Sequence, residues 1–340
     1  MHLTLYLPGL VWPHAAASGQ IPKKLPTQVM DKWLRFGNIQ QHIRKRSDLY
    51  RSTQSYQSLL AHCQQQIGKA TEHAFLVSPV LQRVDLHSMS ISDGSVLNIT
   101  MAEAHSLCQD INDFLQGDTF HFEPVREYLW LVTSKDPVTW NLPPVCDIEG
   151  QLKFMPRPHS NNAKDSAKIQ TLQAELQMLL SQHPVNKKRQ KNKASQINGL
   201  WFWRDLQTQT PLSADIPLMT DAPLLTDSAT LQTDAPYDWY TAYEWLQQNG
   251  TPNQAVLWLN TLEAPTMFGD IWGYQDGFEQ LNTHFFQPIQ DALKVGTVKQ
   301  LTIKTDGYRG FDLDYRRRDT WAFWKRGHGF MHYLETNDAS

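Results

Sequence analysis

Apolar residues recur along the chain in two periods, and the alternation between them lays out the elements. Residues 3–7 (LTLYL) read as a buried first strand, closed by Pro8-Gly9. Val29, Met30, Trp33 and Leu34 then repeat at three- and four-residue spacing, which predicts a helix over 26–36 stopped by Gly37. A second helix is expected over 53–66, with Tyr56, Leu59, Leu60 and Cys63 on one face. Strands are expected at 80–86 and 96–99. Thr100 and Glu103 stand at capping-box spacing ahead of a helix whose stripe is Ala104, Leu107, Cys108, Ile111 and Leu115.

The continuous apolar run at 128–133 (YLWLVT) predicts a strand buried on both faces, and the Pro-, Asn- and Ser-rich stretch 150–166 a loop. A helix over 167–182 and a buried strand over 198–203 follow. Residues 204–236, with repeated Thr-Asp, Asp-Ala-Pro and Leu-Leu units, read as a linker or long surface loop. Beyond it come helices at 238–248 and 278–293 and strands at 255–260 and 300–305. A hairpin through Asp306-Gly307 leads to a strand at 311–315, and a last helix covers 320–325. Strands alternating with helices predict an α/β fold with a mixed, largely parallel sheet flanked by helices. The expected division is 1–203, a connection at 204–236, and 237–335 packed on the first region as one globular unit.

Composition narrows the picture. The 340 residues are 41% hydrophobic and 19% charged, which fits a folded chain, and the 12 Trp imply that large rings supply much of the core. A net charge of −3 argues against a general nucleic-acid coat and leaves room only for a local basic patch. Cys63, Cys108 and Cys146 are widely spaced and form no CxxC, so neither a disulfide framework nor a cysteine-built zinc site is expected. The N-terminal apolar run lacks a basic region before it, and no window approaches the ~18 apolar residues of a membrane span, so a cytoplasmic protein is expected.

Catalytic signatures are sparse. No Gly-rich phosphate loop and no G-x-S-x-G elbow occurs, and Gly307-Tyr308-Arg309-Gly310 reads as a turn. The 13 histidines are scattered, and Asp306 and His328 have no partner at ligand spacing, so neither metal nor cofactor is expected. Arg316-Arg317-Arg318, beside Asp312 and Asp314, are expected to form ion pairs.

One segment carries a family likeness. Residues 172–203 combine a glutamate-bearing helix, His183-Pro184-Val185-Asn186, a basic stretch, Asn198 and Trp201-Phe202-Trp203. This resembles the RpfE-type bacterial regulatory proteins, often labelled cofactor-independent phosphoglycerate mutase-like, with weaker support from SPVLQRVDL and LYLPGLVWP. Arg204-Asp205 stand where the family continues with glycines, and Leu81 replaces its histidine. The resemblance implies a degenerate alkaline-phosphatase or phosphomutase-like fold.

Within the segment, Glu175, His183, Asn186, Asn198, Trp201 and Trp203 are candidate ligand-binding residues around a polar pocket. Equally, His183 and Asn186 could satisfy backbone groups while both tryptophans pack in the core. Lys187, Lys188, Arg189, Lys191 and Lys193 are candidate anion-binding residues, or a solvated loop. A non-catalytic regulatory or ligand-binding protein with a small-molecule or protein partner is the first expectation. An enzyme acting on a phosphorylated small molecule is the second, and a nucleic-acid-associated factor using 187–193 the third.

Overall fold

The structure, a computed structural model, describes residues 1–12, 22–84, 89–152, 156–160, 163–225, 231–321 and 327–334. The chain divides into two compact units, and one is inserted in the other. Unit 1 comprises residues 1–55 and 209–340, and unit 2 residues 56–208. This differs from a division at 204–236, because a strand contributed by the first residues pairs with strands contributed by the last hundred. The expected 1–203 region is therefore not one body.

Unit 1 opens with β1 (His2–Tyr6), α1 (Gln28–Phe36), β2 (Asn38–Arg44) and α2 (Arg46–Thr53). Unit 2 follows with α3 (Leu59–Gln66), β3 (Ala74–Val84), β4 (Met89–Asp93), α4 (Met101–Phe114), β5 (Phe120–Arg126) and β6 (Leu129–Ser134). It continues through β7 (Trp140–Asn141), β8 (Gly150–Leu152), β9 (His159–Ser160), α5 (Ala163–Gln182), α6 (Pro184–Lys191) and β10 (Gly199–Trp203). Unit 1 resumes with β11 (Leu218–Met219), β12 (Gln232–Thr233), α7 (Trp239–Gln248), β13 (Gln254–Trp258) and α8 (Glu263–Phe268). It closes with α9 (Ile271–Leu281), α10 (Gln287–Val295), β14 (Gln300–Lys304), β15 (Gly307–Arg316) and α11 (Met331–Leu334).

The unit 1 sheet runs β12-β11-β13-β1-β14-β15-β2. It is parallel from β12 through β14 and antiparallel across β15 and β2, giving the mixed, largely parallel sheet expected. One face of its central strands is apolar and sealed: Leu3, Leu5, Leu257, Leu301 and Ile303 share it and are fully buried. Helix α1 lays Met30, Trp33 and Leu34 on this core. Trp33 Nε1 donates to Gln290 Oε1 at 2.8 Å, which gives a buried amide its partner. Between α9 and α10 the helix widens to a π turn over Asn282–Phe286, where a single helix at 278–293 was expected.

Unit 2 is antiparallel. Its sheet is β5-β6-β3-β4-β8, and β10 adds to β3. Helix α4 packs on β5 and α5 on β10. The Thr100–Glu103 capping box forms as expected.

Several expectations change. Residues 96–98 are a turn, because Asn98 takes a left-handed φ of +50°, and β3's partner is β4 instead. The expected helix at 53–66 is split between α2 and α3. The expected loop at 150–166 holds β8, β9 and the start of α5. The expected linker carries β11 and β12, the edge of the main sheet. Residues 85–86 and 322–325, parts of an expected strand and helix, lie outside the described residues.

Gly9 lets the chain turn just after β1. Its φ is +73°, and a Cβ there would lie 2.6 Å from the Leu262 carbonyl oxygen. Gly9→Ala is expected to destabilise unit 1 by more than about 1 kcal/mol, since both the backbone conformation and the space are lost. The urea midpoint of the full-length variant checks it.

Candidate functional site

In a sheet of this kind the crevice beyond the carboxyl ends of the parallel strands is where ligands are usually held. β1, β13 and β14 end in register at Tyr6, Trp258 and Lys304. Just beyond them the chain presents Gly9, Glu263 and Asp306, and α2 contributes Arg46 at its first turn. Arg46 Nε lies 3.1 Å from Glu263 Oε1 and 3.4 Å from Asp306 Oδ2. All three side chains are about nine-tenths buried, at 11%, 12% and 10% exposure. Asp306 Oδ1 accepts from the Gly9 backbone N–H at 2.8 Å, and Thr266 donates to the Gly9 carbonyl at 2.7 Å. One guanidinium thus ties two carboxylates and the turn after β1 into a single buried network.

A second cluster flanks it on β2 and β15. Arg44 grips Asp312 with both terminal nitrogens, at 2.7 and 3.0 Å, and reaches the Thr305 carbonyl. His42 Nε2 lies 3.2 Å from the same carboxylate. Burial pushes the Asp312 carboxyl up, but the hydrogen bonds from Arg44 and His42 and the charges of Arg44 and Lys304 outweigh it. The net shift is below the ordinary carboxylate value.

A two-metal phosphoryl-transfer centre, which a phosphomutase resemblance implies, needs several carboxylate and imidazole donors around each ion. Among the described residues no group of three or more His, Cys, Asp or Glu is placed to share a metal. The two strand-end carboxylates face a guanidinium, which has donors only and takes up acceptor positions a cation would need. These residues do not fit such a centre. Cys63 and Cys108 are not activated thiols: burial pushes Cys63 up to about 12 and Cys108 higher still.

The residues singled out in 172–203 all lie in unit 2. His183 caps α6, its Nδ1 accepting from the Val185 N–H at 3.1 Å. Its Nε2 lies 2.8 Å from an Asp110 oxygen, outside hydrogen-bond geometry. Asn186 is buried and fully engaged: its amide donates to the Leu180 and Ile197 carbonyls at 2.7 Å each and accepts from the Ile197 N–H at 2.8 Å. Asn198 mimics a strand residue, accepting from the Gln82 N–H and donating to the Gln82 carbonyl. Trp201 and Trp203 are buried, with Nε1 bonded to the Pro143 carbonyl and the Ser78 hydroxyl. Glu175 is exposed on α5 and is not brought to them.

Of the basic run, Lys187, Lys188, Lys191 and Lys193 are exposed, whereas Arg189 is buried. Arg189 bonds to Glu103 at 2.8 Å and to the Ser195 and Leu97 carbonyls. The run is therefore not the loop expected: Lys187 to Lys191 lie on helix α6, with Arg189 turned inward, and only Lys193 follows its end. One candidate borders open space: Trp201 lines a pocket of about 210 Å³ with Gln82, Gln170, Gln173 and Gln177.

Arg46 and Glu263 were not legible as functional. Asp306 was visible as a turn residue and as a metal-ligand candidate without a partner at ligand spacing, because Arg46 lies more than 200 residues from both carboxylates.

Residues 69–186 match the sequence profile of the 2,3-bisphosphoglycerate-independent phosphoglycerate mutase family, a stretch lying wholly within unit 2. No curated protein matches the chain. Among solved structures, the cofactor-independent phosphoglycerate mutase of Thermoplasma acidophilum is similar at 14% identity and TM-score 0.42, covering 93% of this chain and 89% of that one. The PH0037 protein of Pyrococcus horikoshii is similar at 13% identity and TM-score 0.48, over 99% of both chains.

Asn186→Ala strands buried backbone groups and is expected to cost about 2 kcal/mol or more, whereas Lys187→Gln and Lys188→Gln stay within about 0.5. Thermal unfolding of the three variants checks this. Because the folded Asp312 carboxyl lies below its unfolded value, its stabilisation is present above about pH 4. It disappears as pH falls through the folded pKa. The stability gap between wild type and Asp312→Asn should therefore shrink over that acid range, as urea titrations at stepped pH would show.

Proposed function

We propose that the chain is a binding protein of phosphomutase-like ancestry, regulatory in the sense of the RpfE-type proteins that 172–203 resembles. It does not perform two-metal phosphoryl transfer. The observation that carries this reading is Arg46, whose guanidinium stands between Glu263 and Asp306 at the carboxyl ends of the parallel strands. A fixed positive charge on a side chain neutralises those carboxylates but can neither activate a nucleophile nor accept a transferring phosphoryl oxygen as a labile ligand. The segment that matches the mutase family profile supports a shared ancestry for unit 2. Its characteristic polar residues bond to backbone and so serve the fold.

The alternative, an enzyme acting on a phosphorylated small molecule, is favoured by the profile match. Turnover separates the two. Purified full-length protein with added manganese or zinc is expected to give no conversion of 3-phosphoglycerate and no hydrolysis of p-nitrophenyl phosphate above a buffer blank. Metal-dependent turnover that Asp306→Asn abolishes would sink the binding-protein reading. Arg46→Ala, which removes the cation facing two buried carboxylates, is expected to lose about 3–5 kcal/mol of stability in the same preparation.

A further inference from the structure

β2 is one edge of the unit 1 sheet, hydrogen-bonded to β15 on one side only. The direction of its free backbone groups follows from β15. Phe311 accepts from the Thr305 N–H at 3.2 Å and donates to Thr305 Oγ1 at 2.8 Å, so its main chain faces away from β2. Backbone direction alternates along a strand, so Asp312 and Asp314 face β2 and meet their register partners Gln40 and Asn38. On β2, Ile39, Gln41 and Ile43 therefore turn their N–H and C=O groups outward. Among the described residues, none of those groups bonds to another segment.

Sheet edges commonly carry Lys, Pro or a bulge, which discourages pairing with another chain. β2 (NIQQHIR) has neither Lys nor Pro, and the nearby irregularity lies on β15, between Gly307 and Gly310. The side chains of Ile39, Gln41 and Ile43 share a face with those of Phe311 and Leu313. Ile39 packs on the unit 1 core and the Gln41 side chain bonds to Tyr333, whereas Ile43 is 76% exposed. Tyr308, in the irregular stretch opposite Ile43, is 77% exposed.

We propose that two copies of this chain join along β2, antiparallel about a two-fold axis at Gln41, so that their sheets become continuous. In that register Gln41 meets its own mate and Ile39 meets Ile43 of the second copy, each pair exchanging both backbone hydrogen bonds. The exposed Ile43 gains an apolar cross-strand neighbour. Arg44 falls opposite Asn38 and His42 opposite Gln40, so no like charges face each other. The charge of Arg44 is met within its own chain by Asp312, the carboxylate expected to pair with the arginines at 316–318. Head-to-tail growth through the far edge has little to hold, since β12 is only two residues long. The closed pair is the assembly that this edge fits.

Sedimentation of the full chain at rising concentration, up to about 100 μM, tests the proposal. The wild type should form a dimer. Ile43→Pro removes an outward N–H that one copy does not use; it should stay folded by thermal unfolding and weaken the dimer at least about tenfold. Gln41→Cys reads the register directly. Its Cα atoms would stand about 5.5 Å apart across the axis, within disulfide reach, so mild oxidation should link the copies. Val295→Cys, exposed on α10, should stay unlinked, and the native cysteines are buried. A chain that stays monomeric at every concentration would overturn the proposal. So would a dimer that folded Ile43→Pro leaves intact, or one in which Gln41→Cys links no faster than Val295→Cys. Assemblies larger than a dimer would overturn it too, by placing the contact elsewhere. If Ile43→Pro fails to fold, the Gln41→Cys result decides alone.

Discussion

Unit 1 closes around the charge of Arg46. Three parallel strands end side by side, and the first residues beyond them carry Glu263 and Asp306 into a space with little water. Two carboxylates there would repel each other strongly, and the guanidinium from α2 makes their burial tolerable. The consequences spread through local structure. Asp306, held by Arg46 on one oxygen, uses the other to fix the Gly9 turn, and Gly9 must be glycine to pass the start of α8.

Much of the fold was legible because it rests on local periodicity. The first strand, the capping box at Thr100, the β14–β15 hairpin and the buried strand at 198–203 all follow from spacing of apolar residues and turn chemistry. What escaped was set by distance along the chain. β1 pairs with β13 and β14, some 250 and 300 residues away, so the insertion of unit 2 leaves no mark in any local window. The expected linker at 204–236 is polar and Pro-rich, yet two dipeptides in it pair at a sheet edge, where short strands suffice. The turn at 96–98 was read as a strand because Leu97 and Ile99 are buried, and burial does not reveal that Asn98 is left-handed.

The candidate residues of 172–203 were legible as distinctive. A conspicuous polar group beside an apolar strand can bind a ligand or satisfy the backbone, and sequence does not separate the two. In the structure Asn186 and Asn198 bond to main-chain groups, and Arg189 bonds to main-chain carbonyls and to the Glu103 carboxylate. The match to the phosphoglycerate mutase sequence profile falls within unit 2, while the charged strand ends belong to unit 1.

Titration of the full chain with manganese, followed by calorimetry, tests the role of Arg46 most directly. If its guanidinium fills the place between Glu263 and Asp306, the wild type shows no stoichiometric binding. Stoichiometric manganese binding that is lost in Glu263→Gln and Asp306→Asn would contradict it.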